Sequence, residues 1–123
     1  MASLVTDGGL DNATAAWTNY ATRARYVAWG TGTGQGVTAT DLATAAGEAR
    51  TAGTSSQQTT TTSNDTYRVT GTITATSGHA ITEVGVFTAT SGTNLAIYGD
   101  FSAINLSALD SIAFTVDVVL DQA

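Results

Sequence analysis

Between Ser111 and Leu120 the chain alternates with a period of two. Ile112, Phe114, Val116, Val118 and Leu120 are separated by Ser111, Ala113, Thr115, Asp117 and Val119. That pattern describes a β-strand with one buried face. It closes a longer stretch, Ala80 to Leu120, that holds most of the bulky apolar residues. Ile81 to Phe87 is a first apolar run, and Ser91-Gly92-Thr93 after it is a turn signal, since Gly supplies positive φ without steric conflict. Leu95 to Phe101 is a second run, with Leu95, Ile97, Gly99 and Phe101 on one face. Asn105 to Asp110 breaks the pattern before the last strand. Three successive strands with short connections predict an antiparallel meander on which the rest of the chain packs.

The length of 123 residues is that of one domain. A chain of this size buries roughly two-thirds of its unfolded surface, enough for a modest core. Thr is the commonest residue and Pro is absent. Thr is β-branched and suits a pleated, half-wet surface, so the composition points to an all-β domain. No cysteine is present, which removes disulfides and thiolate metal sites. No apolar run approaches the roughly 20 residues of a membrane helix. Met1 to Asn12 has no basic region followed by an apolar core, so no signal peptide is read there.

Met1 to Asn19 reads as an arm. Leu4, Val5, Leu10 and Trp17 are its only sizeable apolar residues, set among the turn formers Thr6-Asp7-Gly8-Gly9 and Asp11-Asn12. Such a segment is either frayed or ordered by docking. Burial of four side chains contributes about 1.5 to 3 kcal/mol each, against roughly 1 to 2 kcal/mol per residue for ordering the backbone. The balance is near zero or negative on a single chain, so the arm is expected to dock on an adjacent subunit or the capsid, with these four residues as its contacts. Residues 20–123 form the β-domain.

Arg25 to Gly30 is the first clear strand. The glycines of Gly30 to Gly36 superficially offer a nucleotide loop, but a dinucleotide fingerprint needs a helix directly after them, and none is predicted. Thr40 to Glu48 is the one stretch that reads as a helical turn, with Thr40 or Asp41 as cap and Leu42, Ala45 and Ala46 as its apolar face. Arg50 to Ser63, rich in Thr, Ser and Gln, reads as a solvated edge strand, with a surface loop as the alternative. Thr66 to Thr76 alternates cleanly: Tyr67, Val69, Gly71, Ile73 and Ala75 face one way, Arg68 and four threonines the other. With Ile81 to Phe87 it is expected to form a hairpin. Five or six strands suffice for a small antiparallel β-sandwich or open barrel, with at most one short helix. The expected core is Tyr67, Val69, Ile73, Val84, Val86, Leu95, Ile97, Phe101, Ile112, Phe114, Val116 and Val118.

Little in the residues points to catalysis. His79, the single histidine, lies in a turn beside Gly78 and reads as solvated. No Ser stands recognisably with a base and an orienting acid. Glu83 sits inside an apolar strand and, if buried, needs an arginine or several backbone donors to stay charged. Arg25, Arg50 and Arg68 are candidate partners, and a structural ion pair of Glu83 with Arg68 is expected. A two-carboxylate hydrolase needs a second acid opposite Glu83, with Asp100 or Asp110 available. Asp7, Asp11 and Asp65 do not have the spacing of a calcium-binding EF-hand. No catalytic, cofactor or metal site is assigned. The sequons at Asn12, Asn64 and Asn105 matter only in a chain secreted by a eukaryote.

YVAWGTGTG (Tyr26 to Gly34), NDTYRVTGTITAT (Asn64 to Thr76), AITEVGVF (Ala80 to Phe87) and GDFSAINLSALDSIAFTVDVVL (Gly99 to Leu120) together resemble small structural proteins of tailed bacteriophages. The resemblance covers most of Tyr26 to Leu120 and is shared by decoration proteins and by tail-fibre or head-fibre modules. It marks a β-fold rather than a chemistry. It implies a non-enzymatic virion protein, foremost a capsid decoration (cement) protein on the outer surface of the shell, bridging capsomers, with the major capsid protein or a neighbouring virion protein as partner. The docking arm adds the expectation of a homo-oligomer, a trimer, since threefold positions recur on icosahedral shells. A chain that begins at Met1 and is one domain long fits a stand-alone virion component. The alternative is a tail-fibre or head-fibre subunit with a receptor-binding role, and a remote one is a carbohydrate-active enzyme. Neither nucleic acid nor membrane is an expected partner.

Ten acidic side chains against four arginines give a net charge of −6. A protein that grips phosphates needs a basic patch to release counterions. A gel-shift at low salt, where screening is weakest, is therefore expected to show no complex with duplex DNA, and a clear shift would overturn the charge argument.

Overall fold

A computed structural model of the chain describes residues 3–120. Among these residues it forms one helix, α1 (Asp7–Asn19), and seven strands: β1 (Tyr26–Gly30), β2 (Thr51–Ala52), β3 (Thr54–Gln58), β4 (Thr66–Thr74), β5 (His79–Phe87), β6 (Leu95–Leu106) and β7 (Ser111–Val119). They build two antiparallel sheets, ordered β2-β1-β5-β6 and β3-β4-β7. The architecture is the predicted small β-sandwich, without a closed barrel.

The expected connectivity is corrected in two places. β4 and β5 are not a hairpin, and β7 does not complete a meander with β5 and β6. β5 pairs β1 and β6, whereas β4 pairs β3 and β7. The turns after β4 and after β6 each carry the chain from one sheet to the other. Alternation reports which face of a strand is buried, not which strand lies beside it. Two strands that face each other across a core carry the same alternation as two that are hydrogen-bonded.

Between the sheets lie Val27, Trp29, Tyr67, Val69, Ile73, Ala75, Ile81, Val84 and Val86, all buried. Of the expected core, Tyr67, Val69, Ile73, Val84 and Val86 are buried, while Ile97, Phe101, Ile112, Phe114, Val116 and Val118 pack against the core half-buried. Leu95 is displaced: an irregularity in the β5–β6 register at Val86/Phe87 turns it to the outer face, where it joins Ala28, Leu42 and Phe87. Trp29, Ile81 and Phe87 belong to the core although the alternation did not single them out.

The N-terminal segment differs most from expectation. Residues 1–2 lie outside the described residues, but from Asp7 the arm is a helix. Thr6 caps it, its hydroxyl accepting from the Gly9 N–H at 3.2 Å, with Asp7 in the first turn. Leu10 is buried, and the Trp17 ring stacks on Tyr67 at 4.2 Å and 6°. Thr14 hydroxyl donates to the Asn64 carbonyl at 2.7 Å. Leu10 and Trp17 are thus spent inside the molecule, and of the four expected contacts only Leu4 and Val5 stay exposed. The docking surface that makes the helix favourable is the end of β3 and β4 of its own chain. By contrast Thr40–Glu48 is not helical; it is irregular, with a single bridge from Ala45 to Gly30. The Thr-rich tract forms β2 and then β3, which lie in different sheets, up to Gln58, followed by a tight turn. Asp65 organises that turn by accepting from the N–H groups of Thr60, Thr61 and Thr62 at 2.9, 3.0 and 2.9 Å.

Gly53 marks the crossing from β2 to β3. A Cβ there would lie 2.7 Å from the Thr70 carbonyl and 2.8 Å from that of Arg25, so only Gly lets the chain step between sheets. This crossing and α1 close one long side of the sandwich. The role of α1 is measurable: Leu10→Ala is expected to lower stability by about 2 to 5 kcal/mol in urea denaturation, whereas a frayed arm would give a loss near zero.

Candidate functional site

Three places concentrate polar chemistry or uncovered apolar surface. The first is Glu83, on the outer face of the four-stranded sheet. Its side chain is fully buried. Oε1 accepts from the Ala43 N–H at 2.9 Å and the Tyr98 hydroxyl at 2.8 Å. Oε2 accepts from the N–H groups of Gly32 at 3.1 Å and Thr44 at 2.9 Å. The expected pair with Arg68 is not formed: Arg68 is in the other sheet and pairs with Asp117. Four donors satisfy the carboxylate instead, which is the second of the two routes by which a buried charge is kept. Burial alone would raise its pKa, but the Thr44, Ala43, Tyr98 and Gly32 donors outweigh that and hold it below the usual carboxylate range. Tyr98 is pushed up to about 12 by its own burial and by its bond to Glu83.

The sequence around Glu83 explains the fit. The Gly-rich loop after β1 and the Ala43-Thr44 segment are small enough to bring backbone N–H groups onto a carboxylate. At Gly30 a Cβ would lie 2.3 Å from Glu83 Oε2 and 2.3 Å from the Thr44 carbonyl. The loop of Thr31–Glu48 is thereby pinned over the sheet, with Leu42 buried against Ala28 and Phe87. Asp100 lies directly opposite Glu83 on β6, as a two-carboxylate arrangement requires, but it accepts from the Gly34 N–H at 2.9 Å. Both acids hold the loop. Beside them an open pocket of about 400 Å³ runs from Gln35 to Tyr98 and Leu95.

The second place is Glu48, at one end of the sandwich. Its Oε1 accepts from Trp29 Nε1 at 2.8 Å, and its Oε2 accepts from the Thr76 N–H at 3.0 Å and lies 2.8 Å from His79 Nε2. His79 is therefore half-buried against a carboxylate, not solvated as its turn context suggested. Burial works to raise the pKa of Glu48, yet the Thr76, Trp29 and His79 contacts bring it down to about 2. Arg50, another candidate partner for Glu83, instead ties down the β5–β6 turn through the carbonyls of Ala89 and Gly92 and the Phe87 ring. Among the described residues no three or more His, Asp or Glu side chains gather as metal ligands. Asp11 is bonded to Gln57 and Asn64, and Asp65 to its own turn. No described helix is long and apolar enough to cross a membrane.

The third place is the long side opposite α1. There β6 and β7 form the outer edges of their sheets, and no residue on either strand is fully buried. Phe101 and Phe114 meet across the gap with ring centroids 6.3 Å apart, and Phe114 meets Trp29 edge-on at the same distance. The core is thus open to solvent along this side. At its end, Leu109 is 82% exposed at φ 75 in the turn between the two strands. A bulky apolar residue in the left-handed region is strained. The turn holds it there: Leu109 N–H donates to the Ala75 carbonyl at 2.8 Å, and Asp110 Oδ2 accepts from the Ser107 N–H at 2.8 Å. Ile104 and Val119 are also exposed. The sequence pattern alone does not reveal that this side is open, because half-burial at an edge leaves the same alternation as full burial.

Comparison with known proteins finds no matching family model, no matching curated protein and no matching solved structure.

The Glu83 and Glu48 clusters have a defined pH signature. Both folded-state values are depressed, so their stabilisation is fully present above the ordinary carboxylate value of 4.5 and is lost as pH falls through the folded value, about 2 for Glu48. Urea midpoints are expected to be level from pH 8 to about 5 and to fall steeply below about 4.5. Glu83→Ala strands the donors of four groups and should remove about 3 kcal/mol or more at neutral pH, with most of that difference from the parent gone by the acid limb. An unchanged acid profile in the variant would show that Glu83 is not the clamp.

Proposed function

We propose that this chain is a non-enzymatic structural protein of a tailed-phage virion, a decoration protein that binds the outside of the assembled capsid across capsomer boundaries. The observation that carries the proposal is the uncovered apolar side along β6 and β7, with Leu109 held out in a strained turn at its end. A fold that closes one side with a helix and a strand crossing has the means to close the other. Leaving Phe101, Ile112 and Phe114 half-exposed there is the arrangement of a surface completed by a partner. The assignment to a virion rests on the phage-like segments of the sequence. The acidic surface fits the outer face of a DNA-filled shell. All four arginines are engaged within the chain: Arg23 with Ser55, Arg25 with Tyr26, Arg50 with the β5–β6 turn and Arg68 with Asp117.

The mechanism is linkage. A protein that binds the assembled shell and not its dissociated subunits stabilises the shell by mass action, in proportion to occupancy.

Binding to purified capsids, measured by co-sedimentation, is expected to saturate at hundreds of copies per particle and to raise the temperature of particle disruption. Occupancy of a few tens would favour a fibre subunit instead. Leu109→Asn relieves the left-handed strain, since Asn tolerates that region. It should leave stability unchanged or raised by up to about 1 kcal/mol while weakening capsid binding about tenfold. Undiminished binding by this variant would remove Leu109 from the contact.

A further inference from the structure

We infer that β7 is a self-pairing edge: two copies of this chain join through antiparallel β7–β7 contact about a two-fold axis at Thr115, merging their three-stranded sheets into one of six. The inference rests on the reading of the β6/β7 side as a docking surface and divides it: a second copy covers β7, and β6 with the Leu109 turn is left for the capsid.

An exposed edge strand presents a row of unpaired backbone groups, and proteins that stay apart blunt such edges with bulges, prolines, lysines or short strands. β6 is blunted. Its register with β5 is interrupted between Ile81/Glu83, where Phe101–Ala103 face the single residue Thr82. β7 carries none of these devices. All nine of its residues stay in unbroken register with β4, from Thr74↔Ser111 to Thr66↔Val119, and it contains neither Pro nor Lys. In an antiparallel ladder alternate residues turn their backbone groups away from the partner strand, so about half of β7 faces outward with donors and acceptors ready to pair.

Charge selects a second copy as the occupant. A chain with net charge −6 is repelled by another of its kind over most of its surface. On β7 the single acid is Asp117, and Arg68 neutralises it through two bonds of 2.7 and 2.9 Å. This edge is therefore a neutral place on an acidic molecule. Centring the axis on Thr115 pairs all nine residues. On the inner face Phe114 meets Val116 and Ile112 meets Val118 of the other copy, joining apolar groups that are half-exposed in the single chain. On the outer face Thr115 meets itself, Ala113 meets Asp117 and Ser111 meets Val119. Moving the axis two residues to Asp117 would set two carboxylates face to face and shorten the ladder, and moving it to Ala113 shortens it with no gain. A nine-residue edge is about 30 Å long, and two sheets about 10 Å apart with their side chains make it about 20 Å deep. The footprint, about 600 Å² per copy, approaches the roughly 800 Å² of a standard stable interface. A three-fold ring would need β6 of one copy against β7 of the next, and the bulge in β6 opposes that ladder.

The test uses the full chain in solution without particles, so its outcome is independent of capsid binding. Sedimentation equilibrium should give a dimer that dissociates on dilution. The chain has no cysteine, so Thr115→Cys introduces a single thiol, and mild oxidation should cross-link it to dimers, while Thr72→Cys on β4 should stay monomeric under the same oxidation. Thr115→Lys and Thr115→Glu each set like charges opposite each other and should weaken self-association roughly tenfold, with circular dichroism unchanged because Thr115 is exposed. Mixing the two variants should restore association. A monomer at high concentration, a trimer, or a dimer that neither cross-links at Thr115 nor is restored by mixing would overturn the inference.

Discussion

A buried carboxylate without a cationic partner sets the terms for half of this molecule. Glu83 stays charged only because Gly32, Ala43, Thr44 and Tyr98 each give it a hydrogen bond. Those bonds require the loop of Thr31–Glu48 to lie flat on the four-stranded sheet. That in turn buries Ala28, Leu42 and Phe87 on what would otherwise be a wet face. β1 consequently has Val27 to Gly30 buried in succession, covered by the core on one side and the loop on the other. An unpaired donor or acceptor in a dry place is expensive in free energy, so loop, carboxylate and Gly30 hold or fail together.

The rest of the fold is governed by how the two sheets end. On one side Gly53 lets the chain step directly from β2 to β3, and α1 covers the adjoining end through the Trp17–Tyr67 stack. On the other side β6 and β7 are joined by the turn of residues 107–110, and no further element of the described chain covers the edge. Their inner residues reach the core and remain half-wet. Stability is then concentrated in β1, β4 and β5, whose inner side chains are fully buried, and the edge pair is where the molecule can gain most by contact. The fully buried core residues on β1, β4 and β5 are thus separated in space from the half-buried residues on β6 and β7.

The apolar alternation in β4 and β7, the Thr-rich outer surface and the turn signals around Gly92 are legible in the sequence alone, because period-two burial is a local property of a strand. They yielded an all-β sandwich and most of its core. The helix was not legible. Two glycines in its first turn and a sparse apolar face give it poor local propensity, and it exists because Leu10, Thr14 and Trp17 find partners on β3, β4 and the turn before β4. Glu83 stood out as a carboxylate in an apolar strand, but the sequence offers arginines as visible partners and hides backbone N–H groups, which every residue except proline carries.

What the sequence determined by itself is which faces are dry: the alternation dictates strands, and the scarcity of cations dictates an acidic surface. Which strands are neighbours, that Arg68 belongs to Asp117 and not to Glu83, and that one side of the core stays open were decided only in three dimensions. Pairing and edge exposure depend on residues brought together across the fold, and a strand's own pattern is the same whether the next layer is its own chain, another copy or water.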